Sequence, residues 1–234
     1  SMTTASWNSC YGYKALYSCT TTGQNTAIGN LAGQYTTGSS NTLLGYKALS
    51  GVSGSTTGSN NTVIGEKAAE DATSLSNSTI VGYRAGQDIT SATNCTVIGY
   101  NAEASSATAS NEITLGDSSI ATLRCQVTSI TALSDRRDKT DINTLDLGLD
   151  FVNSLKPVKF KWQTRDGKGP KGYEAGFIAQ DFQQVQKDND ADYLGLVMDN
   201  NPDKLEATPG KLIPILVKAI QELKMEVETL KNNG

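Results

Sequence analysis

Short apolar pairs recur through the first half of the chain, each closed by a glycine: Asn25-Thr-Ala-Ile-Gly29, Asn41-Thr-Leu-Leu-Gly45, Asn61-Thr-Val-Ile-Gly65, Thr79-Ile-Val-Gly82, Thr96-Val-Ile-Gly99 and Ile113-Thr-Leu-Gly116. Glycines 12, 29, 45, 65, 82, 99 and 116 are spaced by 17, 16, 20, 17, 17 and 17 residues. Alanine stands three residues after six of them, at Ala15, Ala32, Ala48, Ala68, Ala85 and Ala102. A flexible Ser/Thr/Gly linker keeps no such phase. The period predicts a solenoid over 1–133, each coil giving one or two short strands and a turn. Glycine supplies a corner at positive φ, and the Ile, Leu or Val before it is expected to point into a narrow core. The alanine suits a crowded inter-coil position, and the Asn-Thr pair suits a turn, where both side chains reach local backbone.

After residue 133 the period changes. Leu145, Leu149, Val152 and Leu155 predict an amphipathic helix stopped by Pro157. Val158, Phe160 and Trp162 alternate as a strand, and a second strand is expected over Tyr173 to Ile178. A short helix follows Gln180, then a hairpin from Leu194–Met198 and Lys204–Ala207. Past Pro209-Gly210, residues Ile213, Leu216, Ile220, Leu223, Val227 and Leu230 step by 3, 4, 3, 4 and 3, a heptad seam that predicts a coiled coil over about 210–234. Pro214 falls in its first turn, where the missing N–H costs little.

Charge sharpens the boundary. Residues 1–133 hold 12 charged side chains and residues 134–234 hold 32, so the expected domains are 1–133 and 134–234. A net charge of −4 offers no basic surface for nucleic acid. No apolar run reaches the roughly 20 residues of a membrane span and no leader precedes the repeats, so a soluble chain is expected, with Ser1-Met2 an expression remnant. The four cysteines lack a paired spacing and histidine is absent, so no metal or cofactor is expected and the thiols are read as buried and free. Asp188, Asp190 and Asp192 mimic a calcium loop, but Tyr193 and Asp199 stand where glycine and glutamate are needed.

One coil buries two or three side chains at ~1.5–3 kcal/mol each, against an ordering cost of ~1–2 kcal/mol for each residue. A lone chain is therefore marginal. The expectation is an all-β homotrimeric β-solenoid or triple β-helix, with a single-chain β-helix as the alternative, followed by a small α+β domain and its coiled-coil helix.

At the boundary stands Ala132-Leu133-Ser134-Asp135-Arg136-Arg137-Asp138-Lys139. Peptide hydrolysis without histidine or metal needs another base, and a lysine serves where burial or nearby cations favour its neutral form. Five residues place Ser134 and Lys139 about 140° apart on an ideal helix, so a turn or a neighbouring protomer must join them. A charged linker capped by Ser134 and Asp135 is the plain alternative.

The spacing Ser134-Asp135-x-Arg137-x-Lys139 resembles the signature of the endosialidase-type intramolecular chaperones, self-cleaving trimerisation domains at the C-termini of phage tail spikes and fibres. Three further matches follow in order: Leu155-Lys-Pro-Val-Lys-Phe-Lys-Trp162, Gly176-Phe-Ile-Ala-Gln180 and Leu212-Ile-Pro-Ile-Leu-Val-Lys-Ala-Ile-Gln-Glu-Leu-Lys224. The repeat is more loosely similar to the units of trimeric adhesin heads and phage fibre shafts. The resemblance implies a homotrimer in the virion, cut between Leu133 and Ser134, with Ser134 as nucleophile and Lys139 as base. Arg137 is the expected oxyanion partner and Asp135 the expected orienting group.

The array's tyrosines, Tyr46, Tyr83 and Tyr100 among them, offer stacking surfaces either to a host-surface glycan or receptor or to the neighbouring coil, the second being the plainer use. Glu66, Glu70 and Asp71 read as a solvated turn rather than a glycosidase pair. Three other readings are a non-cleaving trimerisation cap on a fibre, a fragment of a glycan-degrading tailspike, and a membrane-released factor like the myelin-regulatory-factor proteins. The last needs a basic DNA-binding domain and a membrane span that these residues lack.

Overall fold

The structure is a computed structural model that describes residues 6–52, 56–126, 130–165, 167 and 169–233. It separates into two compact units, 1–120 and 121–234. Ser1 and Met2 lie outside the described residues, as do Asp166 and Lys168 of the loop between the two strands of the C-terminal hairpin.

In the first unit, strands β1 (Ser9–Tyr11), β2 (Thr26–Ile28), β3 (Thr42–Leu44), β4 (Thr62–Ile64), β6 (Thr79–Val81), β8 (Thr96–Ile98) and β9 (Ile113–Leu115) form one parallel sheet in that order. The register pairs Thr26 with Thr42, Thr42 with Thr62 and Thr62 with Thr79, so each strand meets its equivalent one coil on. A second parallel pair, β5 (Ser74–Ser76) and β7 (Ser91–Thr93), covers another side. Of the forms expected, the chain adopts the β-solenoid: its strands pair with one another within a single chain.

The middle residue of each central strand is the core residue. Ala27, Leu43, Val63 and Ile80 are fully buried, together with Ala32, Ala48, Ala68, Ala85 and Ala102. A single chain thus seals its own core, because each coil is roofed by the next. The residue directly before the glycine behaves otherwise than its sequence suggests: Ile28 is 46% and Leu44 45% exposed. Side chains of a strand alternate between faces; with the middle residue inside, the residue before the glycine must face out.

Glycine is required at the corner for two reasons. Gly45 has φ +133, and a Cβ there would lie 2.6 Å from the carbonyl oxygen of Gly65 in the next coil. The asparagine of the Asn-Thr pair is not a local turn residue either. Asn25, Asn41 and Asn61 are buried. The side-chain oxygen of Asn25 accepts the backbone N–H of Asn41 at 2.9 Å, and that of Asn41 accepts the N–H of Asn61 at 3.1 Å and its Nδ2 at 2.9 Å. Ser78 continues the ladder, its Oγ accepting from the backbone of Cys95 at 3.1 Å. The buried amides find partners in the next coil, and such chains polarise one another.

The second unit holds α1 (Leu149–Ser154), the antiparallel pair β10 (Val158–Phe160) and β11 (Glu174–Gly176), α2 (Ala179–Asp188), the antiparallel pair β12 (Val197–Met198) and β13 (Glu206–Ala207), and α3 (Ile213–Asn232). Helix α1 is shorter than its apolar spacing suggests because Gly148 caps it, and its buried anchor is Phe151. Phe151 packs with Phe182, Val185, Leu196, Leu212 and Ile215. Leu145 and Leu155 only flank that core.

Candidate functional site

The turn after Ser134 begins with Asp135, whose side chain accepts the backbone N–H of Arg137 at 2.9 Å and caps a single 3-10 turn, Arg136–Asp138. The capping residue is Asp135 rather than Ser134. Lys139 leaves the turn in extended conformation, with its N–H on the carbonyl of Arg136 at 3.2 Å. That reversal carries its side chain back over the serine, and Lys139 Nζ donates to Ser134 Oγ at 2.6 Å. The turn alone brings the two together, with no second protomer.

Arg137 folds back on Asp135: its Nε lies 3.1 Å from Oδ1 and its Nη2 2.6 Å from Oδ2. This fork lowers the carboxyl below its ordinary range and raises the guanidinium. Leu133, Ser134, Arg137 and Lys139 are all exposed in the single chain. Four residues singled out in the sequence are therefore adjacent, joined as two pairs, Ser134 with Lys139 and Asp135 with Arg137.

The basic motif downstream becomes a charged hairpin face. Lys159 and Lys161 lie 4.5 and 4.6 Å from the centre of the Tyr173 ring, and Trp162 Nε1 donates to Glu174 at 3.0 Å. Helix α3 divides its faces sharply. Ile215 and Ala219 are buried, whereas the heptad residues Ile213, Leu216, Ile220, Leu223, Val227 and Leu230 are all exposed, Ile220 by 67%. The seam is not used inside the chain.

In the solenoid, Tyr83 and Tyr100 stack on one another, with ring centres 5.6 Å apart and planes 10° from parallel. Lys47 lies over Tyr46 and Arg84 over Tyr83. Glu70 is no solvated turn residue: it pins two coils, 2.7 Å from Lys47 and 3.6 Å from Lys67. Cys19 and Cys95 are buried, but Cys10 and Cys125 are exposed. Cys10 occupies the strand position that Ala27 takes one coil on, yet is exposed in this first described coil.

Glu103 is the titratable group that sequence patterning missed. Burial, then the neighbouring Asp88 charge, push its pKa up to about 7, while the backbone N–H groups of Gln87 and Asp88 pull the other way. Its sequence neighbours are alanines and serines, so only the inter-coil contact with Asp88 gives it away. Among the described residues no group of His, Cys, Asp and Glu side chains is placed to hold a metal ion, and no helix is long and apolar enough to cross a membrane.

Residues 134–191 match the family described as chaperone of endosialidase. The match starts at Ser134 and takes in the Lys159–Trp162 and Gly176–Gln180 segments, with α3 beyond its end. No curated protein and no solved structure matches the chain.

Proposed function

We propose that this is a phage tail-fibre or tailspike chain whose endosialidase-type chaperone domain, 134–234, drives homotrimer folding of the solenoid and then leaves by cutting the Leu133–Ser134 bond. The observation that carries the reading is the 2.6 Å contact between Lys139 Nζ and Ser134 Oγ at the first residue of the family match. The bare heptad seam of α3 supports the oligomer: six aliphatic side chains on one helix face are left for other copies to cover.

Ser134 Oγ attacks the Leu133 carbonyl carbon while neutral Lys139 takes the hydroxyl proton. The tetrahedral oxyanion faces the Arg137 guanidinium, and the amide nitrogen leaves with the proton from Lys139. The Leu133 acyl group is now an ester on Ser134 Oγ. Water hydrolyses it, giving a Leu133 carboxylate and a Ser134 N-terminus with its hydroxyl restored. In the single chain the exposed lysine donates to the serine, the reverse of what this step needs. Contacts between protomers must therefore reverse that bond, so the pair is in place in the single chain and becomes active on assembly. Release of the chaperone then leaves the trimer kinetically trapped.

The exposure of the pair also favours a second reading, a permanent trimerisation cap that never cuts. Intact and native mass of freshly made wild type, Ser134→Ala and Lys139→Ala separates the two. Wild type split into 1–133 and 134–234, with both variants whole and trimeric, is the expected result. A whole, trimeric wild type leaves the cap; a monomeric wild type removes both.

A further inference from the structure

The solenoid's parallel sheet carries an unbroken aliphatic stripe on its outer face: Ile28, Leu44, Ile64, Val81, Ile98 and Leu115, one from each of six successive strands. Strand spacing makes it about 24 Å long, and six part-exposed aliphatics on one line reach the few hundred Å² at which exposed apolar surface marks an interaction site. The other outward positions of these strands are threonines and Ile113, so the face holds no charge.

We propose that this stripe is where copies of the chain pack against one another, stripe to stripe, around an axis parallel to the solenoid. The proposal rests on the homotrimer reading and adds to it a second, independent interface that stays with the solenoid when the chaperone leaves. The occupant must itself be rod-like and apolar, with one aliphatic group per coil. A second solenoid in parallel register has that repeat by construction, because the spacing of 17, 16, 20, 17, 17 and 17 residues is absorbed between the strands and leaves the strand spacing constant. A glycan is the wrong partner, since a sugar needs aromatic faces and hydrogen-bond donors. The stripe offers aliphatics, and Tyr83 and Tyr100 beside it spend their facing sides on each other. The α3 seam independently calls for copies of this same chain.

The test uses the full chain with Ser134→Ala to keep it whole and Cys10→Ser and Cys125→Ser to remove the exposed thiols. Single cysteines are placed by Ile64→Cys, Ile98→Cys and, beside the β5–β7 sheet, Thr73→Cys, which is exposed on a different side of the coil. Mild oxidation is expected to convert up to about two-thirds of chains of Ile64→Cys and Ile98→Cys to disulfide-linked dimers, the limit for one exposed thiol per chain in a trimer while Cys19 and Cys95 stay buried, and to leave Thr73→Cys monomeric on a denaturing gel. A protein that is trimeric by native mass yet links at neither stripe position, or links as readily at Thr73, overturns the stripe while the chaperone reading stands. A protein monomeric by native mass overturns both.

Discussion

Glu222 accepts the backbone N–H of Leu149 at 2.7 Å, closing a loop of 73 residues and capping α1 with a side chain from α3. Gly148 has no side chain to do so, and a Cβ there would strike the Glu222 carboxylate. The long helix is thereby fastened to the start of α1 while its heptad seam stays free.

That bond, with Lys218 adding to it, holds the Glu222 carboxyl below its ordinary range. A depressed folded pKa stabilises above the unfolded value and loses that stability as pH falls through the folded one. Acid melting of the second unit should therefore set in below about pH 4.5. Glu222→Gln should lower the melting temperature at pH 7 and flatten the acid limb; thermal melts from pH 3 to 7 read both, and an unchanged acid limb counts against the cap.

Glu103 has the opposite sign. Its folded pKa, about 7, lies above the unfolded value of 4.5, so the folded chain holds the proton more tightly and solenoid stability falls as pH rises from about 4.5 to 7. After discounting for partial solvent screening, the loss is on the order of 1–2 kcal/mol. Glu103→Gln keeps an acceptor for the Gln87 N–H and should abolish most of that slope in denaturant titrations at pH 5 and pH 8.

Asn41 sits mid-ladder with five hydrogen bonds through its backbone N–H and side chain, to Asn25, Gly58 and Asn61. Asn41→Ala leaves the Asn61 N–H and the Gly58 carbonyl without those partners inside the coil stack. Each orphaned buried group costs roughly 1–3 kcal/mol, so for the two a loss of about 2–6 kcal/mol is expected. Exposed Asn60, whose side chain donates to Asn77 on the surface, is the control; at φ +63 alanine there should cost about 1–2 kcal/mol, from the backbone rather than from a lost buried partner.

Asp135 shapes the junction through Arg137. Asp135→Ala removes both the cap of the 3-10 turn and the fork on the guanidinium. If cleavage proceeds as proposed, its rate in a mass-spectrometric time course should fall about 10-fold or more, with the native mass unchanged. Asp135→Asn, which keeps the cap acceptor, should fall less.

The repeat array, its period and the helices and hairpins of the second unit were readable from residue order. Glycine recurrence and heptad spacing are local properties that any fold of the chain must respect. Ser134 and Lys139 stood out together in the motif, but the spacing left either a turn or a neighbouring protomer to join them, and the turn through Arg136–Asp138 is what does so. Which strand residue enters the core was not, because both candidates are apolar in five of the six repeats, as in Ala27 and Ile28, Leu43 and Leu44, Val63 and Ile64. Alternation requires one inside and one outside, and only the stacking of coils selects the first.

By itself, then, the sequence determined a glycine-timed solenoid joined to a charged α+β unit, since spacing and composition act over a few residues. The tertiary structure decided what depends on residues far apart: the buried asparagine ladder, the near-neutral pKa of Glu103, the capping of α1 by Glu222, and the outward turn of the aliphatic stripe. Each arises from a neighbour one coil away or far along the same unit, and burial, which sets its energy, exists only once that neighbour has arrived.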